Sequence, residues 1–229
     1  ELVLVSPVKV VQTLFTVIFD PDFLKTVWYS AARILGGFFT ALTLGTVLGW
    51  VASRFWVVET LLRPITAAIK ATPVASFIIL VLLWFSGKNL SVIISMLMVF
   101  PVIYMNVLEG IRSADEELLE MAQVFRLSVS KKLLYIYLPA VAPFFVSACS
   151  VSLGLCWKSG IAAEVIGTPD GSIGAVFYQA KIFLQTSELL AWTVVVVAVS
   201  VAFEKLFMLL LRLVLKKLKM EDVLNGKRA

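Results

Sequence analysis

The sequence predicts an all-α fold, a polytopic transmembrane helical bundle. Three observations predict it. The 229 residues are 60% hydrophobic and only 15% charged, whereas a soluble domain carries about a quarter of its residues as charge. The mean hydropathy is +0.97. The apolar residues also gather into long runs, near the ~20 residues a helix needs to cross a hydrocarbon core. Finally, Lys and Arg concentrate on alternate connections between those runs, as cytoplasmic loops require.

Along the chain, "SPVKVVQTLFTVIFDPD" is short and amphipathic and predicts an interfacial helix ended by Asp20 and Pro21. Five spans are expected over residues 26–52, 61–85, 90–108, 140–163 and 189–211. The first carries Gly37, Ala41, Gly45 and Gly49, a ridge of small residues that lets helices approach closely in lipid. Packing inside one subunit is its expected use. The second contains Pro64 and Pro73, tolerated where neighbouring helices cover a kink. Cys149 and Cys156 share one helix face within the fourth. Without further ligands they read as buried packing, not as a metal site or disulfide.

One set of connections holds Arg54, Arg63, Lys70, Arg112, Arg126, Lys131 and Lys132, followed by the tail Arg212, Lys216, Lys217, Lys219, Lys227 and Arg228. The opposite set holds only Lys9, Lys25, Lys88 and Lys181. The first set is therefore expected in the cytoplasm, with the C-terminus, and residue 1 outside. An upstream span before Glu1 would bring the count to six, with both ends inside. The net charge of +5 follows from these loops and gives no reason to invoke nucleic acid. The whole chain, 1–229, reads as one membrane domain, with a cytoplasmic hairpin at 109–139 and an external loop at 164–188.

The hairpin stands out because it is polar between two spans. Ser113 with Glu116 three residues on is a capping-box pattern, so a helix is expected to start there. Asp115, Glu116, Glu117 and Glu120 crowd its first turns, where the helix dipole favours carboxylates. Leu118, Met121, Ala122 and Phe125 form one apolar face at helical spacing. A break is expected near Arg126–Ser130, then a second short helix, "KKLLYIYL", ending at Pro139. A solvated loop needs neither a cap nor an apolar stripe, and helices this short are marginal unless packed. The hairpin therefore reads as a docking element for another protein.

Inside the fourth run, Trp157, Lys158 and Glu164 are candidates for the pathway or a gate, because ionisable groups at membrane depth usually face the protein interior or a cavity. Glu164 is expected at the outer interface and Lys158 deeper. Glu204 and Lys205 are expected near the cytoplasmic end, in a structural role. There is no His, which removes the usual general base. No G-x-x-x-x-G-K-[ST] loop occurs, so the chain cannot bind ATP by that device. A secondary transporter or channel subunit is the alternative this leaves open. It predicts repeated halves and acidic groups in mid-membrane, and the sequence displays neither.

"EMAQVFRLSVSKKLLYIYLP" resembles the EAA signature of ABC-importer permeases. Glu120, Met121 and Ala122 stand for Glu-Ala-Ala, and Ile136, Leu138 and Pro139 close the motif. "SPVKVVQTL", "SAARILGGF", "ATPVASFIILVLLWF", "EELLEMAQVF" and "GLCWKSGIAAEVIG" resemble the nitrate, sulfonate, taurine and bicarbonate branch of these permeases. The resemblance implies the type I importer class, a homodimer, cytosolic ATPase subunits that hold ATP and Mg, and an external substrate-binding protein. The hairpin would then couple to the ATPases through Glu116, Glu117, Leu118, Glu120, Met121, Ala122, Phe125 and Arg126. No enzymatic activity is expected of this chain itself. One departure is Arg126, which occupies the position of the family glycine. A side chain in left-handed backbone there costs roughly 1 kcal/mol, so either the break falls at Leu127–Ser128 instead or Arg126 accepts the cost and gains an acidic partner.

Overall fold

The structure is a computed structural model describing residues 5–218. The tail cations Lys219, Lys227 and Arg228 lie outside the described residues. Among those described, the regular structure is helical: α1 (Pro7–Ile18), α2 (Phe23–Arg54), α3 (Trp56–Ala71), α4 (Val74–Leu82), α5 (Gly87–Arg112), α6 (Glu116–Val124), α7 (Val129–Lys132), a π turn (Leu133–Tyr137), α8 (Leu138–Gly167), α9 (Ile173–Ile182) and α10 (Thr186–Lys217).

α2, α5, α10 and the continuous run Val129–Gly167 are each long and apolar enough to cross a bilayer. The run expected at 61–85 as a span with a kink is sharply broken, and with it counted as one broken span the bundle has five. The run is two helices, α3 and α4, bent by 105°. Pro73 disfavours helical angles at the residue before it, and Thr72 is extended at φ −82, ψ 132. Pro64, by contrast, sits inside α3 without ending it. The observed helices also run a few residues past their expected ends. α8 continues to Gly167, so residues 164–167 belong to it and not to the loop.

The centre of the bundle is the trio α2, α5 and α8. Ile34 and Phe38 from α2, Val99 and Ile103 from α5, and Leu153 and Cys156 from α8 form one buried cluster. Both cysteines are free and buried. Ser95 Oγ satisfies itself on the Cys156 carbonyl at 3.1 Å. The small ridge of α2 faces α5. A Cβ added to Gly45 would stand 2.9 Å from Ile103 Cβ, and one on Gly49 would stand 3.0 Å from a Val107 methyl. The backbones touch there, which is possible only because those side chains are missing. α1 and α10 pack outside this trio, joined by Val17, Trp192 and Val195, and α10 leaves most of its surface uncovered. Glu204 is tied to α8 by Ser150, whose hydroxyl donates to its carboxylate at 3.0 Å.

Overpacking a close contact typically costs about 1–3 kcal/mol. Gly45→Val should therefore lower the thermal unfolding midpoint of the lipid-embedded chain, followed by tryptophan fluorescence. Gly36, which has nothing within 4 Å of an added Cβ, should accept Ala with little change.

Candidate functional site

Two regions carry the residues singled out by the sequence, one at each end of the bundle. At the first end, α5 stops at Arg112 and the chain turns into α6. The cap of α6 corrects the expected capping box. The helix is capped by Asp115, whose carboxylate accepts the Glu117 N–H at 2.9 Å. Ser113 Oγ instead donates to the Gly110 carbonyl at 2.9 Å and serves the previous helix. Glu116 and Glu117 occupy the first turn, where the dipole favours them.

α6 ends in a complete Schellman motif. The Leu127 N–H donates to the Ala122 carbonyl at 2.9 Å, and the Arg126 N–H to the Gln123 carbonyl at 3.0 Å. Such a turn places its C′ residue in left-handed backbone, and Arg126 has φ 48. Arg126 therefore takes the glycine conformation. No carboxylate lies within ion-pair distance of it among the described residues. Two hydrogen bonds and the packing of Leu127 with Ala122 and Ile136 offset the local strain.

The second arm corrects the expectation of a separate short helix. α7 runs through the π turn straight into α8 as one helical run of 39 residues. The Leu138 N–H reaches back to the Leu133 carbonyl, one residue further than in an α-helix. Pro139 follows and lacks an N–H, so the wider turn sits where the regular ladder is interrupted.

The apolar stripe of α6 divides between two directions. Ala122 is fully buried with Ala114 and Ile136, pinning α6 to the second arm. Leu118, Met121 and Phe125 face outward, Phe125 with 71% of its surface exposed. Val124 and Val129 extend that outward apolar patch, and Glu120 is exposed beside it. Leu138 packs with Ala142 and Leu215, and Pro139 is half-buried. Close by, Arg112 pairs with Glu59 at 2.5 Å, joining α3 to the end of α5. The sequence reading did not find this pair, which is distant in the chain.

At the opposite end, Glu164 is enclosed by the protein instead of reaching outward. It is fully buried. Ser30 Oγ donates to its Oε2 at 2.7 Å, and the Gly174 N–H donates to the same oxygen at 3.3 Å. The Ile173 N–H in turn donates to Ser30 Oγ at 2.9 Å, and the Ala175 N–H to Ser172 Oγ at 3.0 Å. Three orphan donors of the first turn of α9 are thus met by three side chains from α2, α8 and the cap itself. A side chain at Gly174 would collide with Glu164. Ser91 Oγ and Glu164 Oε1 are buried without a hydrogen-bond partner. Such a pair can be bridged by buried water. Ser30, Ser91 and Gly174 were missed by the sequence reading. The only available signal was an acidic residue shortly before a glycine-rich turn and a new helix.

Trp157, a pathway or gate candidate beside Lys158, is buried in the α2–α5–α8 cluster. Lys158 is exposed. Successive helix positions point about 100° apart, which separates these chain neighbours. Pro143, Ser147, Val151 and Lys158 lie on the α8 face that the rest of the chain leaves uncovered. Among the described residues no group of His, Cys, Asp and Glu could hold a metal.

Residues 41–220 match the family described as binding-protein-dependent transport system inner membrane component. The chain belongs to this family. It is similar to an aliphatic sulfonates transport permease of Bacillus subtilis (strain 168), at 29% identity over 93% of this chain and 78% of that protein. A taurine transport permease of Escherichia coli (strain K12) is 26% identical over 89% of this chain and 76% of its own length. A bicarbonate transport permease of Synechococcus elongatus is 24% identical over 82% of this chain and 68% of its own. The chain is thus an ABC-importer permease, in the branch that handles sulfonates, taurine, nitrate and bicarbonate.

For this permease, Glu164→Ala should leave the Ser30 hydroxyl and the Gly174 N–H without their acceptor, at about 1–3 kcal/mol for the buried groups. Hydrogen exchange should then speed up in α9. Glu164→Gln keeps an acceptor oxygen and should retain most of the protection.

Proposed function

We propose that the permease works as a homodimer, carried by two cytosolic ATPase subunits that bind ATP and Mg and fed by an external substrate-binding protein. It imports a small solute by alternating access: an oxyanion, a sulfonate or a vitamin-precursor-like compound. The hairpin end faces the cytoplasm in this reading, with the C-terminus, in the plasma or bacterial inner membrane. The cation asymmetry of the connections supports that orientation. The α9 end then faces the binding protein.

The observation that carries the reading is the outward face of α6. Leu118, Met121 and Phe125 are exposed on a helix that Ala122 and the Schellman turn hold in place. Apolar anchors on a rigid element are what a groove on a partner engages, and central anchors contribute about 2–4 kcal/mol each. The carboxylates of Glu116, Glu117 and Glu120 rim this patch and would set its register on the ATPase, and Arg126 would sit at its tip.

Lys158 is our candidate for the pathway. The substrates named for the relatives carry anionic groups, and Lys158 places an ammonium on the uncovered face of α8, where a second copy would enclose it. Lys158→Ala should reduce uptake or uncouple ATP hydrolysis while the complex still assembles, and Lys158→Arg should restore part of it. Wild-type uptake and coupling in Lys158→Ala would instead assign the side chain to the lipid interface.

Co-purification with the ATPase subunit tests the coupling surface. Phe125→Ala and Glu120→Lys should each weaken association and abolish coupled uptake, while membrane insertion stays intact because the spans are unchanged. Wild-type association and uptake in both variants would reduce the hairpin to a solvated loop.

A further inference from the structure

A groove of about 280 Å³ opens at the hairpin end, between the last turn of α2 and the arm that carries the hairpin. Trp50, Ser53 and Arg54 line it from α2, and Lys132, Leu133 and Tyr137 line it from α7 and the π turn. Ile111 and Val129 complete its lining, so the groove adjoins the outward patch of α6 through Val129. Among the described residues neither Arg54 nor Lys132 has a carboxylate within ion-pair distance. Two uncompensated cations therefore converge on one concave site. Ser53 Oγ is already committed to the Trp50 carbonyl at 2.6 Å, which leaves the guanidinium, the ammonium and the Tyr137 hydroxyl as donors.

The groove has two chemical zones. Trp50 lies one turn deeper along α2 than Arg54, and Leu133 continues its apolar wall. Arg54 is the last residue of α2, and Lys132 lines the same groove from α7. Trp and Tyr are favoured at headgroup level because their rings are apolar and their tips polar. Arg54 alone would be explained by the dipole at the end of α2, but that accounts for neither Lys132 nor the space between them. Basic pockets between spans at a membrane boundary take anionic headgroups.

We propose that this groove binds the phosphate headgroup of an anionic lipid. Arg54 and Lys132 clamp the phosphate, Trp50 and Leu133 flank the start of the acyl chains, and the bound lipid braces the hairpin arm against α2. The volume falls at the lower edge of small-molecule sites, roughly 300–1,000 Å³, which suits a headgroup rather than a whole lipid.

The test is lipid retention by the purified full-length chain in detergent, read by native mass spectrometry with phosphatidylglycerol against phosphatidylcholine. The wild type should retain phosphatidylglycerol preferentially. Arg54→Gln and Lys132→Gln should each weaken retention roughly fivefold, and the double variant about thirtyfold. Arg63→Gln, an exposed cation outside the groove, should keep the wild-type preference. Two separate single variants guard against one that fails to fold. An unchanged preference in the double variant would overturn the proposal. So would displacement of the lipid by inorganic phosphate alone, which would assign the groove to a free anion. Loss of the lipid on adding ATPase subunits would also overturn it, assigning the groove to an acidic segment of a protein partner.

Discussion

Within a bilayer there is no hydrophobic force to bring one apolar helix against another, since the lipid is as apolar as the side chains. Cohesion has to come from close contact. The bundle obtains it along the line where Gly37, Ala41, Gly45 and Gly49 of α2 meet α5, with α8 closing the third side through Gly160. Larger residues at those positions would separate the backbones and forfeit dispersion contacts over the whole length of the interface. The positions of α3, α4, α9 and the hairpin all refer to this trio.

The second constraint is that a buried polar group needs a partner. It explains why the two polar regions are built so differently. Glu164 is withdrawn from lipid and water alike, and its oxygen serves Ser30 and the first turn of α9. The hairpin instead keeps Glu116, Glu117 and Glu120 in water and buries only Ala122, Ala114 and Ile136. One carboxyl is structural because it is enclosed. The others remain free for a partner because they are not.

A mechanical consequence follows from the second arm. The run from Val129 to Gly167 is helical without a break over 39 residues, roughly 58 Å at 1.5 Å per residue. One end holds α6 through Ile136, and the other holds α9 through Glu164. The hairpin and α9 are thus joined by one helical run, whose regular ladder is interrupted at the π turn, Pro139 and Pro143.

Much of this was legible in the sequence because it depends on composition and local spacing. The spans, the small-residue ridge, the acidic start of α6 and its apolar stripe of Leu118, Met121, Ala122 and Phe125 all rest on composition and spacing, which a chain carries residue by residue. Family membership was legible in the spacing from Glu120 to Pro139. Other features were settled only when distant segments met. Ser30 and Glu164 are 134 residues apart in the chain, and nothing near either announces the other. The choice of Asp115 over Ser113 as cap depended on which carbonyl the Ser113 hydroxyl could reach. Arg126 could hold the conformation of a glycine because Leu127 packed on Ala122 and Ile136 and secured the turn around it. Trp157 and Lys158 went to opposite fates for the same reason: their rotation about α8 is local, but which side the rest of the bundle covers is not.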